Sequence, residues 1–202
     1  YTLSLHDALP ILFYVFAYQW AYYQSHLLKI FAVWEGGMSI HGGLCGGTLA
    51  VIIYNYFHRL PILPIGDAMM PPLALGLAFG RLGNFINGEL YGRISSLPWC
   101  MYFVGAEGCR HPSQLYALGK DLLLMSILLF CGSRHPRSGT LVWLFFSLYA
   151  IFRFGVEFFR EPDPQIGLLA GGLSQGQYLS LFIFLVSTIG GTIWYYGKTA
   201  GK

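Results

Sequence analysis

The sequence predicts an all-α, polytopic helical membrane protein, and three observations predict it. Hydrophobic residues make up 55% of the 202-residue chain against 10% charged. Several apolar stretches are long enough to cross a hydrocarbon layer of about 30 Å. No short alternation of apolar and polar residues suits a β-barrel, so the spans must be helices that satisfy their backbone groups internally. A mean hydropathy of +0.54 excludes an ordinary soluble domain, and the 26 glycines suit helices whose backbones approach closely.

The elements follow in order. Residues 1–10 begin with Tyr1 and set His6 and Asp7 before an apolar run without a signal-peptide layout. They read as foreign or artefactual sequence ahead of an amino-terminally truncated chain. The apolar piece 11–23 is the end of one span, and complete spans are expected at 40–57, 65–79, 115–131, 140–159 and 179–196. About five complete transmembrane helices plus part of another therefore make up a domain over 11–196, with residues 197–202 as a short cytoplasmic tail.

Successive spans sort the loops into two sets. His58-Arg59-Leu60-Pro61, the turn from Gly132 through Arg134, His135 and Arg137, and Lys198 with Lys202 lie on one side. Arg81, Arg93, Arg110 and Arg160, with Glu89, Glu107, Glu161 and Asp163, lie on the other. Counting lysines and arginines is nearly balanced and does not orient the chain. The first set is bare basic residues beside prolines, as in cytoplasmic loops, so the second is placed outside, where residues 88–112 form an arm over the membrane face.

Four cysteines, Cys45, Cys100, Cys109 and Cys131, lack metal-binding spacing. Cys45 and Cys131 fall in spans as small apolar packers. Cys100 and Cys109 share the outer arm and can pair if that side is oxidising. No glycine-lysine phosphate loop or acidic metal cluster occurs, so neither metal, nucleotide cofactor nor nucleic acid is called for.

The chemistry concentrates in Gly80-Arg81-Leu82-Gly83-Asn84-Phe85-Ile86-Asn87-Gly88-Glu89-Leu90-Tyr91-Gly92-Arg93. Arg81 follows an apolar run, where an unpaired charge costs about 2.5–3.5 kcal/mol on insertion scales. Snorkelling to the headgroups would explain a lone arginine, but this one is not alone. Tyr149, Arg153 and Glu157 recur every four residues, with Arg160 three further on, making one polar stripe on an apolar helix. A self-neutralising Arg153–Glu157 pair is the plain alternative, but it leaves Arg81 unexplained. Two arginines at headgroup depth imply an anion, and the guanidinium fork matches a phospholipid phosphate. Asn84, Asn87, Gln114 and Tyr116 offer neutral donors and acceptors for a polar headgroup, and Glu89 can pair with an arginine or accept from hydroxyls. His41, in Gly36-Gly37-Met38-Ser39-Ile40-His41-Gly42-Gly43-Leu44, opens a span on the same face.

At these residues the chain resembles the bacterial prolipoprotein diacylglyceryl transferases. The family signature G-R-x-G-N-F-x-N-x-E-x-x-G runs unbroken over residues 80–92. Three further blocks agree in order: His41-Gly42-Gly43-Leu44, Arg110-His111-Pro112-Ser113-Gln114-Leu115-Tyr116, and the run from Arg153 to Phe158-Phe159-Arg160-Glu161-Pro162-Asp163. The resemblance covers residues 11–196. Its departures are the absence of the family's first membrane segments, Ala117 where an acidic residue is usual, and a short arm.

The resemblance implies that phosphatidylglycerol donates its diacylglyceryl unit to the lipobox cysteine of prolipoprotein signal peptides at the extracytoplasmic side of the bacterial inner membrane, releasing glycerol phosphate. On that reading Arg81 and Arg153 stabilise the leaving phosphate. His41 is the candidate base and Glu89 a weaker catalytic candidate. Asn84, Asn87, Glu89, Gln114 and Tyr116 contact the headgroup, and Tyr149 and Glu157 orient Arg153. A lipid transporter or scramblase would also hold arginines at headgroup depth, but would not need the histidine.

Overall fold

The computed structural model describes Gln24, Val51, residues 53–161 and residues 169–197. The chain divides into two compact units, Tyr1–Ile62 and Leu63–Lys202. Of the first, Val51 and residues 53–58 are helical, and Arg59 turns the chain with a left-handed φ of 51°. The expected spans at 11–23 and most of 40–57 lie outside the described residues.

Among its described residues the second unit holds four α-helices: α1 (Ile62–Ile86, which starts at the boundary), α2 (Ser113–Gly132), α3 (Thr140–Glu157) and α4 (Gln175–Gly197). All four are long and apolar enough to cross a membrane. Among the described residues extended pairing is confined to isolated bridges. The all-helical class is as expected, and each helix contains or closely matches its apolar run. The largest difference is α1, which carries Pro71 and Pro72 in its interior and continues seven residues past the apolar run ending at Phe79. The polar residues there are half-buried, and they lower the hydropathy of the stretch without interrupting the helix. Arg81 and Asn84 are therefore helical residues inside the span.

The helices meet through a core of Ala74, Leu124, Leu128, Leu141 and Phe145. Along α3 and α4 the approach is close: a side chain at Gly190 would come within 2.7 Å of the Trp143 ring, and the Ser147 and Ser187 hydroxyls lie 3.0 Å apart. At the end of the bundle formed by the start of α1 and the 132–139 turn, Gly139 adopts φ 100°. There the Asp67 carboxylate of α1 accepts from Gly139 N at 2.6 Å and Val142 N at 3.0 Å. An acidic side chain at a helix amino terminus satisfies orphan N–H groups and complements the helix dipole. Asp67→Ala is therefore expected to cost about 1–2 kcal/mol, read as a lowered Tm in detergent, with Asp67→Asn losing less.

At the opposite end, which carries the Arg81 motif, α1 gives way to the arm. Gly88 and Leu90 take left-handed φ of 69° and 55°, and Glu89 N donates to Asn84 O at 2.8 Å. The chain then pairs with itself and with the exit of α3. Gly92 N donates to His111 O (2.9 Å), His111 N to Arg93 O (3.0 Å), Arg93 N to Phe159 O (3.0 Å), and Met101 and Arg110 exchange both bonds at 2.9 Å. A Cys100–Cys109 disulfide closes the arm, and Cys131 remains a half-buried free thiol in α2.

Candidate functional site

Arg81 lies five residues before the end of α1, about 7 Å inside at 1.5 Å per residue. Arg153 lies four residues before the end of α3, about 6 Å inside on the same measure. The two are within electrostatic reach of each other, and Arg81 also senses Arg160, Tyr149 and Asp121. Sequence-distant helices thus bring Arg81, Arg153 and Tyr149 to one region.

Arg153 has its own carboxylate. Glu157 Oε2 lies 3.1 Å from Arg153 Nη2, one helical turn on, so the plain pair considered from the sequence does form. Glu157 is 6% exposed and is fixed from the other side, where Ser174 Oγ donates to its Oε1 at 3.0 Å. Ser174 belongs to a capping box at the start of α4: Gln177 N donates to Ser174 Oγ (3.2 Å) and Ser174 N to Gln177 Oε1 (2.9 Å). The carboxylate also benefits from the positive end of α4. It leaves no room at Gly176, where a side chain would come within 2.6 Å of Glu157 Oε1. Glu157 is thereby a fixed post that holds Arg153.

A second buried pair was not foreseen as a site. Lys120 and Asp121, 8% and 1% exposed, form an ion pair inside α2. The Lys120 ammonium also stands 4.5 Å from the Tyr149 ring centroid, with Arg81 and Arg153 in electrostatic reach. The signal was present: two charges in the middle of an apolar run. It is the same signal that singled out Arg81. Among the described residues the cluster brings together the cations Arg81, Lys120 and Arg153, with Arg160 also within electrostatic reach of Arg81, and the carboxylates Asp121 and Glu157, each bonded to its own cation. Among the described residues no carboxylate pairs with Arg81. A half-buried guanidinium left over in this way is what an anion site requires.

The remaining candidates divide. Gln114, 2% exposed, donates Nε2 to Glu89 O at 2.7 Å and ties the root of the arm to α2. The Tyr116 hydroxyl accepts from Trp99 Nε1 at 2.8 Å and lies 3.2 Å from His111 Nδ1, so the arm engages it from above. Asn84 is half-buried, while Asn87 and Glu89 are exposed on the motif end. His41 lies outside the described residues. Arg110, read only as part of a motif, proves to be the arm's clasp: it pairs with Glu161, donates to Gly92 O at 3.2 Å and to Glu107 O at 3.0 Å, and covers the Tyr91 ring at 4.8 Å. Among the described residues no group of His, Cys, Asp and Glu could hold a metal ion.

Fold and site together define a helical membrane protein with a partly buried cationic cluster toward one end of its bundle and an arm fastened beside it. The chain belongs to the prolipoprotein diacylglyceryl transferase family, whose profile matches residues 11–194. It is 50% identical over 175 residues to the phosphatidylglycerol–prolipoprotein diacylglyceryl transferase of Geobacter sulfurreducens, covering 86% of this chain and 67% of that one. The proteins of the same name from Bordetella avium (51% over 175 residues, 85% and 66%) and Pseudoalteromonas translucida (42% over 191 residues, 94% and 71%) are similar too. The chain spans about two thirds of the length of these curated relatives.

Proposed function

We propose that this protein transfers the diacylglyceryl group of phosphatidylglycerol to the lipobox cysteine of prolipoprotein signal peptides. Family membership supports the activity, and the guanidinium of Arg81, half-buried within electrostatic reach of Arg153 and without a carboxylate of its own among the described residues, carries the chemistry. In the reaction a sulfur–carbon bond forms at the glyceryl carbon and the carbon–oxygen bond to phosphate breaks. The electron pair leaves on the phosphate oxygen, glycerol phosphate departs, and the thiol proton passes to a base. Charge grows on the leaving phosphate, so preorganised guanidinium groups there act mainly in the transition state. Arg81 and Arg153 take that role, with Glu157 and Tyr149 holding Arg153 in place. Asn84, Asn87, Glu89, Gln114 and Tyr116 are assigned to the headgroup side.

His41 is the proposed base. A thiol of reference pKa about 8.5 faces an imidazole near 6.5, a gap of roughly 2.7 kcal/mol that a base can bridge. Glu89 is the second candidate.

The motif end is placed at the extracytoplasmic face of the bacterial inner membrane. The Cys100–Cys109 disulfide in the arm supports that side, because disulfides persist in oxidising compartments. The complete bundle is taken to hold about five full spans and part of another over 11–196, with 88–112 as outer arm and 197–202 as cytoplasmic tail.

Incubation with phosphatidylglycerol and a lipobox peptide should add one diacylglyceryl unit to the peptide mass. Lipid movement between leaflets without an adduct would instead identify a transporter or scramblase. In the same assay His41→Gln is expected to lower kcat by about 10²–10⁴-fold and remove the acidic limb of the pH–rate profile, the loss of rate as a base is protonated at low pH; an unchanged profile would eliminate His41 as base.

A further inference from the structure

Arg81 and Asp121 sense each other electrostatically, yet they form no ion pair, and the carboxylate is turned to Lys120 instead. Asp121 Oδ1 takes the ammonium. Its Oδ2 is buried and lacks a hydrogen-bond partner among the described residues. Gln114 precedes Asp121 by seven residues, two helical turns, and so lies on the same face of α2. Its amide oxygen is in the same condition while its nitrogen is occupied by Glu89 O. Between them Ala117, 4% exposed, contributes only a methyl group. This face of α2 therefore presents two buried acceptors without donors, separated by a small residue.

Unmatched buried acceptors are costly, a carboxylate oxygen most of all, and what satisfies them must donate. Arg81 requires the opposite, an anionic acceptor. A phosphodiester whose alcohol keeps a free hydroxyl meets both demands in one molecule: phosphate toward Arg81 and Arg153, hydroxyl toward Asp121. A headgroup ending in an ammonium would also donate, but would meet the surplus positive charge of Arg81, Lys120 and Arg153. A neutral polyol is the class that fits.

We propose that Asp121 is a specificity-determining residue that accepts a hydrogen bond from a headgroup hydroxyl, and that Lys120 is the residue positioning it. The proposal rests on the transferase reading for the identity of the phosphate and adds to it what selects the alcohol. Lys120 is held by three constraints: the Asp121 carboxylate, the Tyr149 ring, and repulsion from Arg81 and Arg153. By occupying Oδ1 it keeps the carboxylate from collapsing onto Arg81, which would fill the anion site with the protein's own charge.

The test compares phosphatidylglycerol with phosphatidylpropanol, whose headgroup has the same three carbons and no hydroxyl, in mixed vesicles with the full chain and a lipobox peptide. The wild type should favour phosphatidylglycerol in kcat/KM, and Asp121→Asn should lower that preference by about tenfold or more, as expected for a hydrogen bond to a charged group. Arg81→Lys should lower both lipids together and leave the preference intact. Lys120→Met should raise KM for phosphatidylglycerol more than it lowers kcat, with Lys120→Arg restoring much of the loss, a split that a merely structural role would not give. Lack of preference in the wild type, or the same preference in Asp121→Asn, would overturn the proposal. Native mass spectrometry of lipid binding separates the two readings: if the wild type forms no adduct with either lipid but binds phosphatidylglycerol in preference, and Asp121→Asn does not, the hydroxyl reader stands and the transferase reading falls.

Discussion

Arg81→Lys is expected to lower kcat/KM for diacylglyceryl transfer by about 10²–10³-fold although the charge is retained. Removing one preorganised donor from a developing oxyanion has an effect of that order. An ammonium on a flexible stem is a point charge, without the planar fork that grips two phosphate oxygens at once. Position adds to the effect, because Arg81 is fixed five residues inside α1 beside Arg153 and Lys120, where a strongly hydrated ammonium is the poorer occupant. The companion Arg81→Met separates chemistry from architecture. No carboxylate among the described residues is ion-paired with Arg81, and replacing a half-buried cation by an apolar side chain relieves its repulsion from Arg153 and Lys120. Activity should vanish while Tm stays level or rises, the usual trade between stability and a charged site. Wild-type activity in Arg81→Lys would remove the phosphate role; a lowered Tm in Arg81→Met would reassign the residue to structure.

How far the sequence could be read depended on whether a feature was local. The apolar runs located α1 to α4 because length and hydropathy are summed along a stretch of chain. The end of α1 was missed because Arg81 and Asn84 interrupt the hydropathy without interrupting the helix. The Tyr149–Arg153–Glu157 stripe was legible from its period, and the pairing of Cys100 with Cys109 was legible as an option from their shared arm. What could not be read were partners brought together by folding. Nothing local marks Asp67 as the cap of α3, 72 residues away, or Arg110 as the mate of Glu161. The anchoring of Glu157 by Ser174 likewise joins two elements. Lys120 and Asp121 were visible as charges in a span, but only the packing of α2 against α3 sets the ammonium over Tyr149. The same limit explains Gln114 and Tyr116: the sequence offered their polar groups to a ligand, whereas the arm engages the amide nitrogen of one and the hydroxyl of the other.

Gly92→Ala should be nearly as damaging as the arginine replacement, for a mechanical reason. Gly92, the last glycine of the 80–92 motif, has an ordinary φ, so its need for glycine is not conformational. A methyl group there would run into Phe159 O and come within 2.7 Å of both His111 O and His111 Cβ. Two of these are backbone atoms that cannot rotate aside. The arm must therefore lift from the exit of α3, and the bonds that meet at this point go with it: Gly92 N to His111 O, Arg93 N to Phe159 O, and Arg110 Nη1 to Gly92 O. Displacement of about 1 Å at a positioned site can cost about 10²-fold in rate, and a fall of that order in kcat/KM is expected. The disulfide lies beyond the clash and should still form. Limited proteolysis within residues 93–109 should accelerate in step with the loss of activity. Gly119→Ala on α2 is the control, since a side chain there meets nothing within 4 Å and alanine is the better helix former by about 1 kcal/mol. If Gly92→Ala retained wild-type rates with an arm as protease-resistant as before, the junction between arm and α3 would not be what holds the site in register.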